Sequence, residues 1–469
     1  MKVDFVVAEI GSTTTVVNAF NNPEGHAPFF LGQGQAPTTV FDEKGVTIGL
    51  KNALKSLQET LKVGELSYGE MLATSSAAGG LRMTVHGLVH DMTVRAAKEA
   101  ALGAGANIHL CTAGVLSEYD LRELEKIKPN LVLLAGGTDY GDKETAVKNA
   151  RLLCTQFQRP PVIYAGNIQC QKQVEDILTS AGFKCYIVEN VYPRLDALTI
   201  EPTRKIIHQV FEEHITQAPG MSNVRDMVQG TILPTPGAVM ECAHLLYGEI
   251  GDLMVIDVGG ATSDVHSVTK GSDEISAIMI APEPLAKRTV EGDLGVYVNA
   301  RSIIELVGEE EIQRETGLII EKILETYQPI PDCEEQRRLA KCLARHAASI
   351  ALRRHSGQFR YTYGAAGRQA YAEGKDLTKV KWLIGTGGAL TRMPGREAIL
   401  EQLRDINEGN LLLMPRPGVM RTLQDHNYIM ASAGALSIKH PEMAIALMKQ
   451  SLHITDSNIV QSGGEGERV

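Results

Sequence analysis

The feature that most restricts what this chain can fold into is an echo. VVAEIGSTTTVVNAF (Val6 to Phe20) and MVIDVGGATSDVHSV (Met254 to Val268) lie about half a chain apart and share one plan. Each begins as an apolar strand, ends it near a carboxylate, turns on glycine, passes through a hydroxyl-rich tip, and resumes as a strand. Glu9 aligns with Asp257, Gly11 with Gly259, Thr14 with Thr262, and Thr15 with Ser263. One such hairpin is ordinary turn chemistry, because glycine, serine and threonine are what tight turns use. Two copies predict a duplicated fold whose two tips face one another across a cleft.

The residue types fit a phosphate clamp. Turns without side chains at Gly11, Gly259 and Gly260 let backbone N–H groups approach phosphate oxygens, and the hydroxyls of Ser12, Thr13, Thr14, Thr262 and Ser263 add donors. Glu9 and Asp257, at the strand ends, are candidate ligands for hydrated Mg²⁺ or candidates to orient an attacking water. Asp264 lies close to the second turn, so that hairpin is where catalysis is expected. A third element, WLIGTGGALTRM, runs a strand into Gly385-Thr386-Gly387-Gly388 and a helix. It lacks the full G-x-G-x-x-G spacing, but small residues there suit the adenosine end of a nucleotide. A plain strand-to-helix turn also calls for glycine.

Between the hairpins the rhythm changes. Leu131–Ala135 and Val162–Ala165 each run into a glycine turn and a helix, and Lys184–Val188 gives another strand, which predicts a parallel α/β layer. The expected division is 1–70 for the first part of one lobe, 71–245 for an inserted α/β domain with a helical connection, 246–460 for the second lobe, and 461–469 for a disordered Gly- and Glu-rich tail. After Lys287 the chain reads as helical through roughly Gly374. With 469 residues, 43% of them hydrophobic, it can bury more than one core. A net charge of -10 without a long basic run argues against nucleic acid. Seven scattered cysteines, never spaced as C-x-x-C, fit a reducing compartment. Apolar runs are too short to span a bilayer, so a cytoplasmic location is expected and no membrane partner.

The order hairpin, hairpin, strand-GTGG-helix, followed by the helical stretch ASAGALS (Ala431 to Ser437), resembles the actin, Hsp70 and sugar-kinase ATPase superfamily. That resemblance implies a two-lobed α/β fold with ribonuclease H-like sheets closing on ATP. Mg²⁺-phosphate would fall to Glu9 with Gly11 to Thr14 and to Asp257 with Gly259 to Ser263, and the adenosine motif to Gly385, Gly387 and Gly388. Glu9 departs from the superfamily's usual aspartate. Further stretches, among them SSAAGGLRMTVHGLVHDMTVRAAKEAALGAGANI, LLAGGTDYGDKETAVKNA, LAKRTVEGDLGV and LLLMPRPGVMRTLQDHNYIMASAGAL, are similar to the L component, or accessory protein, of adenosylcobalamin-dependent glutamate mutase. This family is also called MutL and is unrelated to the mismatch-repair protein of that name. AEIGSTTTVVNAF is more like a branch associated with ornithine degradation. The resemblance implies an ATP-dependent reactivating chaperone, an ATPase rather than a metabolic enzyme. Its partners would be subunits of a glutamate mutase or ornithine aminomutase, from which it would release damaged cobalamin, and it could also self-associate. The alternatives are an amidohydrolase of the hydantoinase and oxoprolinase type, or a nucleotide-gated scaffold without turnover.

Other polar residues read more plainly. Ala135 to Asp139 could bind an anion, although Asp142 there reads as a helix cap. His86 and His90 lack a third ligand. Arg82, Arg288 and Arg392 each neighbour a glycine motif, with surface or ion-pair roles as the default. Glu291 and Asp293 would cap a helix or touch nucleotide.

Overall fold

The computed structural model describes residues 1–39, 45–76, 81–195, 197–215, 221–364, 367–407, 409 and 411–454. The tail expected at 461–469 lies outside the described residues. Two five-stranded sheets share one topology. In the first, Lys2–Ile10, Thr14–Asn21 and Phe29–Pro37 are antiparallel neighbours, and Ser67–Ser75 and then Ile232–Pro234 extend the other side of Lys2–Ile10 in parallel. In the second, Leu253–Val258, Ser263–Val268 and Ala286–Glu291 are antiparallel neighbours, with Trp382–Thr386 and then Arg421–Gln424 added in parallel. Each sheet therefore runs 3-2-1-4-5 in its own chain order. This pair of ribonuclease H-like sheets is the two-lobed actin and Hsp70-like α/β architecture.

Local chemistry accounts for the central strands. Phe5–Ile10 and Leu253–Val258 are almost wholly apolar and almost wholly buried because both faces of each sheet are covered. Between the lobes run the helices Thr235–Ile250 and Met430–Ser437, rich in Ala and Gly. A Cβ on Gly434 would come within 1.8 Å of the Ala238 carbonyl oxygen, so the backbones cross in contact. Asn18 donates to Ser432 at 2.9 Å, tying the first sheet to the second of these helices.

A third sheet, Asn107–Ala113, Arg82–Gly87, Leu131–Leu134, Val162–Tyr164 and Cys185–Ile187, is parallel throughout. Part of its apolar core is continuous with that of the first sheet. The strand Ser67–Ser75 passes through residue 71 and Ile232–Pro234 lies between 71 and 245, yet both belong to the first sheet. The helical reading from Lys287 to Gly374 is corrected. Helices do run from Ala300 to His355, but Ala286–Glu291 is the edge strand of the second sheet, and Gln358–Gly364 pairs with Gly367–Glu373 as a two-stranded ribbon. Nearly every described residue of that ribbon is exposed or half-buried, so it lacks the apolar alternation that marks a half-buried strand. Among the described residues no helix is long and apolar enough to cross a membrane.

Candidate functional site

The two echoed hairpins close in the same way. Gly11 N–H donates to the Thr14 carbonyl at 3.0 Å, and Gly259 N–H to the Thr262 carbonyl at 3.0 Å. Their tips meet: a Cβ on Gly260 would lie 2.6 Å from the Thr13 hydroxyl oxygen. Between and beside them is a cleft of about 380 Å³, within the range of small-molecule sites. Glu9, Gly11, Ser12, Thr13, Thr14, Asp257, Gly259, Gly260, Thr262, Asp264 and Gly388 all line it.

Four expected residues stand behind the wall instead. Ser263 is buried and donates to the Leu294 carbonyl at 2.7 Å. Gly385 packs under Leu400. Thr386 donates to Asp425 at 3.0 Å. Gly387, with φ near +86°, leaves room for Asp257, whose Oδ1 would meet a Cβ at 2.4 Å. Of the GTGG element only Gly388 reaches the cleft, followed by Ala389, Arg392 and Met393 from the helix it opens.

The electrostatics concentrate on two acids. Burial, then the charge of Asp257, raises the Glu9 carboxyl from its ordinary 4.5 to about 8, against the lowering effect of a hydrogen bond from Tyr428. Burial, then Asp264, raises Asp257 from 3.8 to about 7, while Arg288 pulls it down. Tyr428 donates to Glu9 Oε1 at 3.2 Å, whereas Glu9 Oε2 is buried with no hydrogen-bond partner among the described residues. A buried Glu9 whose ionisation the charge of half-buried Asp257 opposes, and whose second oxygen has no partner among the described residues, suits a hard divalent cation bound through oxygen.

Several contributors were not singled out from sequence or were given default roles. Arg288 is 2% exposed and lies at the cleft. Its Nε and Nη2 reach Asp264 Oδ1 at 2.7 and 2.5 Å, and its Nη1 donates to the Leu102 carbonyl of the third-sheet region at 3.0 Å. Asp264 Oδ2 accepts from the Thr262 hydroxyl at 3.1 Å, so both its oxygens are engaged. Asp425, fully buried, accepts from Thr386, Ser451 and the N–H groups of Ile429 and Met430, which anchors the start of the helix that follows. Tyr428 comes from the same loop. The only sequence signal for these two was the family-like segment QDHNYIMASAGAL. Tyr297, Tyr327, Pro329, Ile330, Pro331 and Met393 give the cleft apolar lining.

Other candidates fall elsewhere. His86 is buried on a strand between the Thr84 and Thr112 hydroxyls, and His90 is exposed in the next turn against Asp91, so they share no face. Arg82 is exposed and bonds Asn130. Glu291 and Asp293 both bind Arg354. Asp142 accepts from Thr145 N–H at 3.0 Å in the first turn of the helix Glu144–Leu153, the cap reading of that segment. Glu315, Cys342 and His346 bring ligand atoms within 4.8 Å of each other, but the Arg345 guanidinium rests on both Glu315 and His346. That cation already fills the cluster.

The chain matches the family model described as MutL protein over residues 5–452. It is 35% identical over 466 residues to Protein MutL of Clostridium tetanomorphum, covering 96% of this chain and 99% of that protein. Among solved structures, the nucleotide-free diol dehydratase-reactivating factor aligns at 11% identity over 94% of this chain and 100% of its own, with a TM-score of 0.35. A glycerol dehydratase reactivase aligns at 11% identity over 92% and 99%, with a TM-score of 0.32. The fold assignment rests on the strand order of the two sheets rather than on these two alignments.

Proposed function

The chain belongs to the MutL protein family, and from that premise we propose that it is an ATP-driven accessory protein that reactivates an adenosylcobalamin-dependent mutase of the glutamate mutase or ornithine aminomutase type. The observation that carries the nucleotide part is the pair of carboxyls, buried Glu9 and half-buried Asp257, that end the first strands of matching hairpins and line one cleft.

Glu9 and Asp257 would hold Mg²⁺, which when bound neutralises charge on the polyphosphate. The hydroxyls of Ser12, Thr13, Thr14 and Thr262 and the tip amides of both hairpins would donate to phosphate oxygens from two sides. Asp257 would also orient the attacking water. Asp264 is a positioning residue, since Arg288 holds one oxygen and the other fixes Thr262. The apolar lining of Tyr327, Pro329, Ile330, Pro331 and Met393 would take a nucleobase. Lobe closure on the nucleotide then changes the affinity for the partner, which is all that coupling requires.

Calorimetric titration with ATP, with and without Mg²⁺, tests the reading: no binding at millimolar Mg-ATP overturns it. Phosphate release should rise with a mutase whose cobalamin is damaged. A rise with small cyclic amides instead would assign the chain to amidohydrolase chemistry.

A further inference from the structure

The helix Arg95–Gly103 joins two parallel neighbours of the third sheet, Arg82–Gly87 and Asn107–Ala113. Its Ala96, Ala97, Ala100 and Ala101 are buried in the core that the first and third sheets share. Toward Ala286–Glu291, the edge strand of the second sheet, it presents charge instead. Lys287 Nζ lies 3.1 Å from Glu99 and 2.8 Å from Glu283, and Arg95 donates to Glu283 at 2.5 Å and to the Pro282 carbonyl at 2.7 Å. The side chains of Glu99, Glu283 and Lys287 are largely buried, and the second Glu99 oxygen has no partner among the described residues. Buried ion pairs left partly unsatisfied add little net stability, which suits a contact that has to open.

The next residue on that strand reaches the cleft. Arg288 holds Asp264 through Nε and Nη2, and its Nη1 caps the C-terminal end of the same helix at the Leu102 carbonyl. A cation at a helix C-terminus stabilises the last turn. One side chain thus touches both the cleft wall and the crossover helix of the third sheet. A phosphate that takes the Thr262 hydroxyl releases Asp264 Oδ2, and the guanidinium then has two charged acceptors on the cleft side against one neutral carbonyl. A cavity of about 560 Å³, lined by Ile200, Glu201, Pro284 and Ala286, gives the start of the strand room to shift.

We propose that the seam between Arg95–Gly103 and Ala286–Glu291 is a latch, released when a polyphosphate in the cleft draws Arg288 off the Leu102 carbonyl and loosens the end of the helix. The inference rests on the nucleotide reading and deepens it by naming the route from the cleft to the third sheet. Arg288 is a positioning residue in this scheme, and the Lys287, Glu99, Glu283 and Arg95 network sets how readily the seam opens. Coupling of this kind is reciprocal: if nucleotide opens the latch, an opened latch tightens nucleotide.

Hydrogen exchange on the full chain reads the latch directly. Mg-ATP should speed exchange of the amides of residues 99–106 by about tenfold over the nucleotide-free chain, as expected for losing one charge-assisted hydrogen bond at a helix end. Arg95→Met combined with Glu99→Gln removes the two helix charges and leaves Lys287 paired with Glu283, so no buried charge is stranded. Calorimetry should show this double variant binding Mg-ATP about threefold to tenfold tighter than wild type. A seam that only holds the fold together would leave that affinity unchanged or lower it, and either result overturns the latch. Mg-ATP that binds wild type without speeding exchange at 99–106 overturns it too, while leaving the nucleotide reading in place. Wild type that binds no Mg-ATP removes that reading, and the latch with it. Should the double variant fail to fold, the wild-type exchange decides alone.

Discussion

The two hairpins have nearly the same backbone and different chemistry. Both turn by a glycine N–H bonded three residues on at 3.0 Å, and both end their first strand in a carboxylate. Across the ladder from Glu9 stands Val16, while across from Asp257 stands Asp264. Glu9 of the first hairpin has one carboxyl oxygen without a partner among the described residues and accepts on the other from Tyr428 of the other half of the chain. The second builds a local network of Asp264, Thr262 and Arg288. Duplication supplies the matching turns, and divergence gives the acid of each hairpin different neighbours.

The largest effect on this contrast should come from making the second hairpin like the first. Asp264→Val strands Arg288 as a buried unpaired cation, which should cost about 3–5 kcal/mol of stability in urea denaturation. A loss under 1 kcal/mol would mean Arg288 is satisfied without Asp264. Next, Asp257→Ala should lower Mg-ATP turnover by about 10²-fold or more while the chain stays folded, and Glu9→Ala should cost less turnover than affinity. Equal turnover losses at the two sites would erase the division of labour, and unchanged turnover in the Asp257 variant would return the second hairpin to a plain turn. Tyr428→Phe removes only the cross-lobe hydrogen bond, worth roughly 0.5–1.5 kcal/mol, so Mg-nucleotide affinity should fall only a few-fold. An affinity loss as large as that of Glu9→Ala would show that the tyrosine does more than support the acid.

The pH dependence is the gentlest probe. Glu9 and Asp257 titrate near 8 and 7 in the folded chain, against ordinary values of 4.5 and 3.8. Groups raised in this way contribute stability that is complete below about pH 4 and is lost as pH rises through 7 to 8. The ligand-free chain should therefore melt at a lower temperature at pH 8.5 than at pH 6.5. Combining Glu9→Gln with Asp257→Asn should flatten that slope, and Mg-nucleotide, which favours the ionised carboxylates, should reverse it. A slope unchanged in the double variant would place the titrating groups elsewhere.

What the amino-acid sequence determined by itself was whatever is encoded over short spans. Both hairpins were legible because apolar strand, carboxylate, glycine and hydroxyl tip follow one another within fifteen residues, and so was the parallel layer, whose strands and helices alternate in order. Their duplication was enough to indicate a cleft between two hairpins, with Glu9 and Asp257 at the strand ends. Only the tertiary structure decided which residues share that cleft. Arg288 reads as a surface arginine until its strand pairs beside His266 and brings it onto Asp264. Thr386 and Gly387 read as nucleotide contacts until the sheet buries one against Asp425 and the other against Asp257. Tyr428 reaches Glu9 from the far end of the chain. The physical reason is range: turn geometry and strand periodicity are set by neighbours in sequence, whereas burial, and with it the cost of leaving a charge unpaired, is set by whichever distant strand packs alongside.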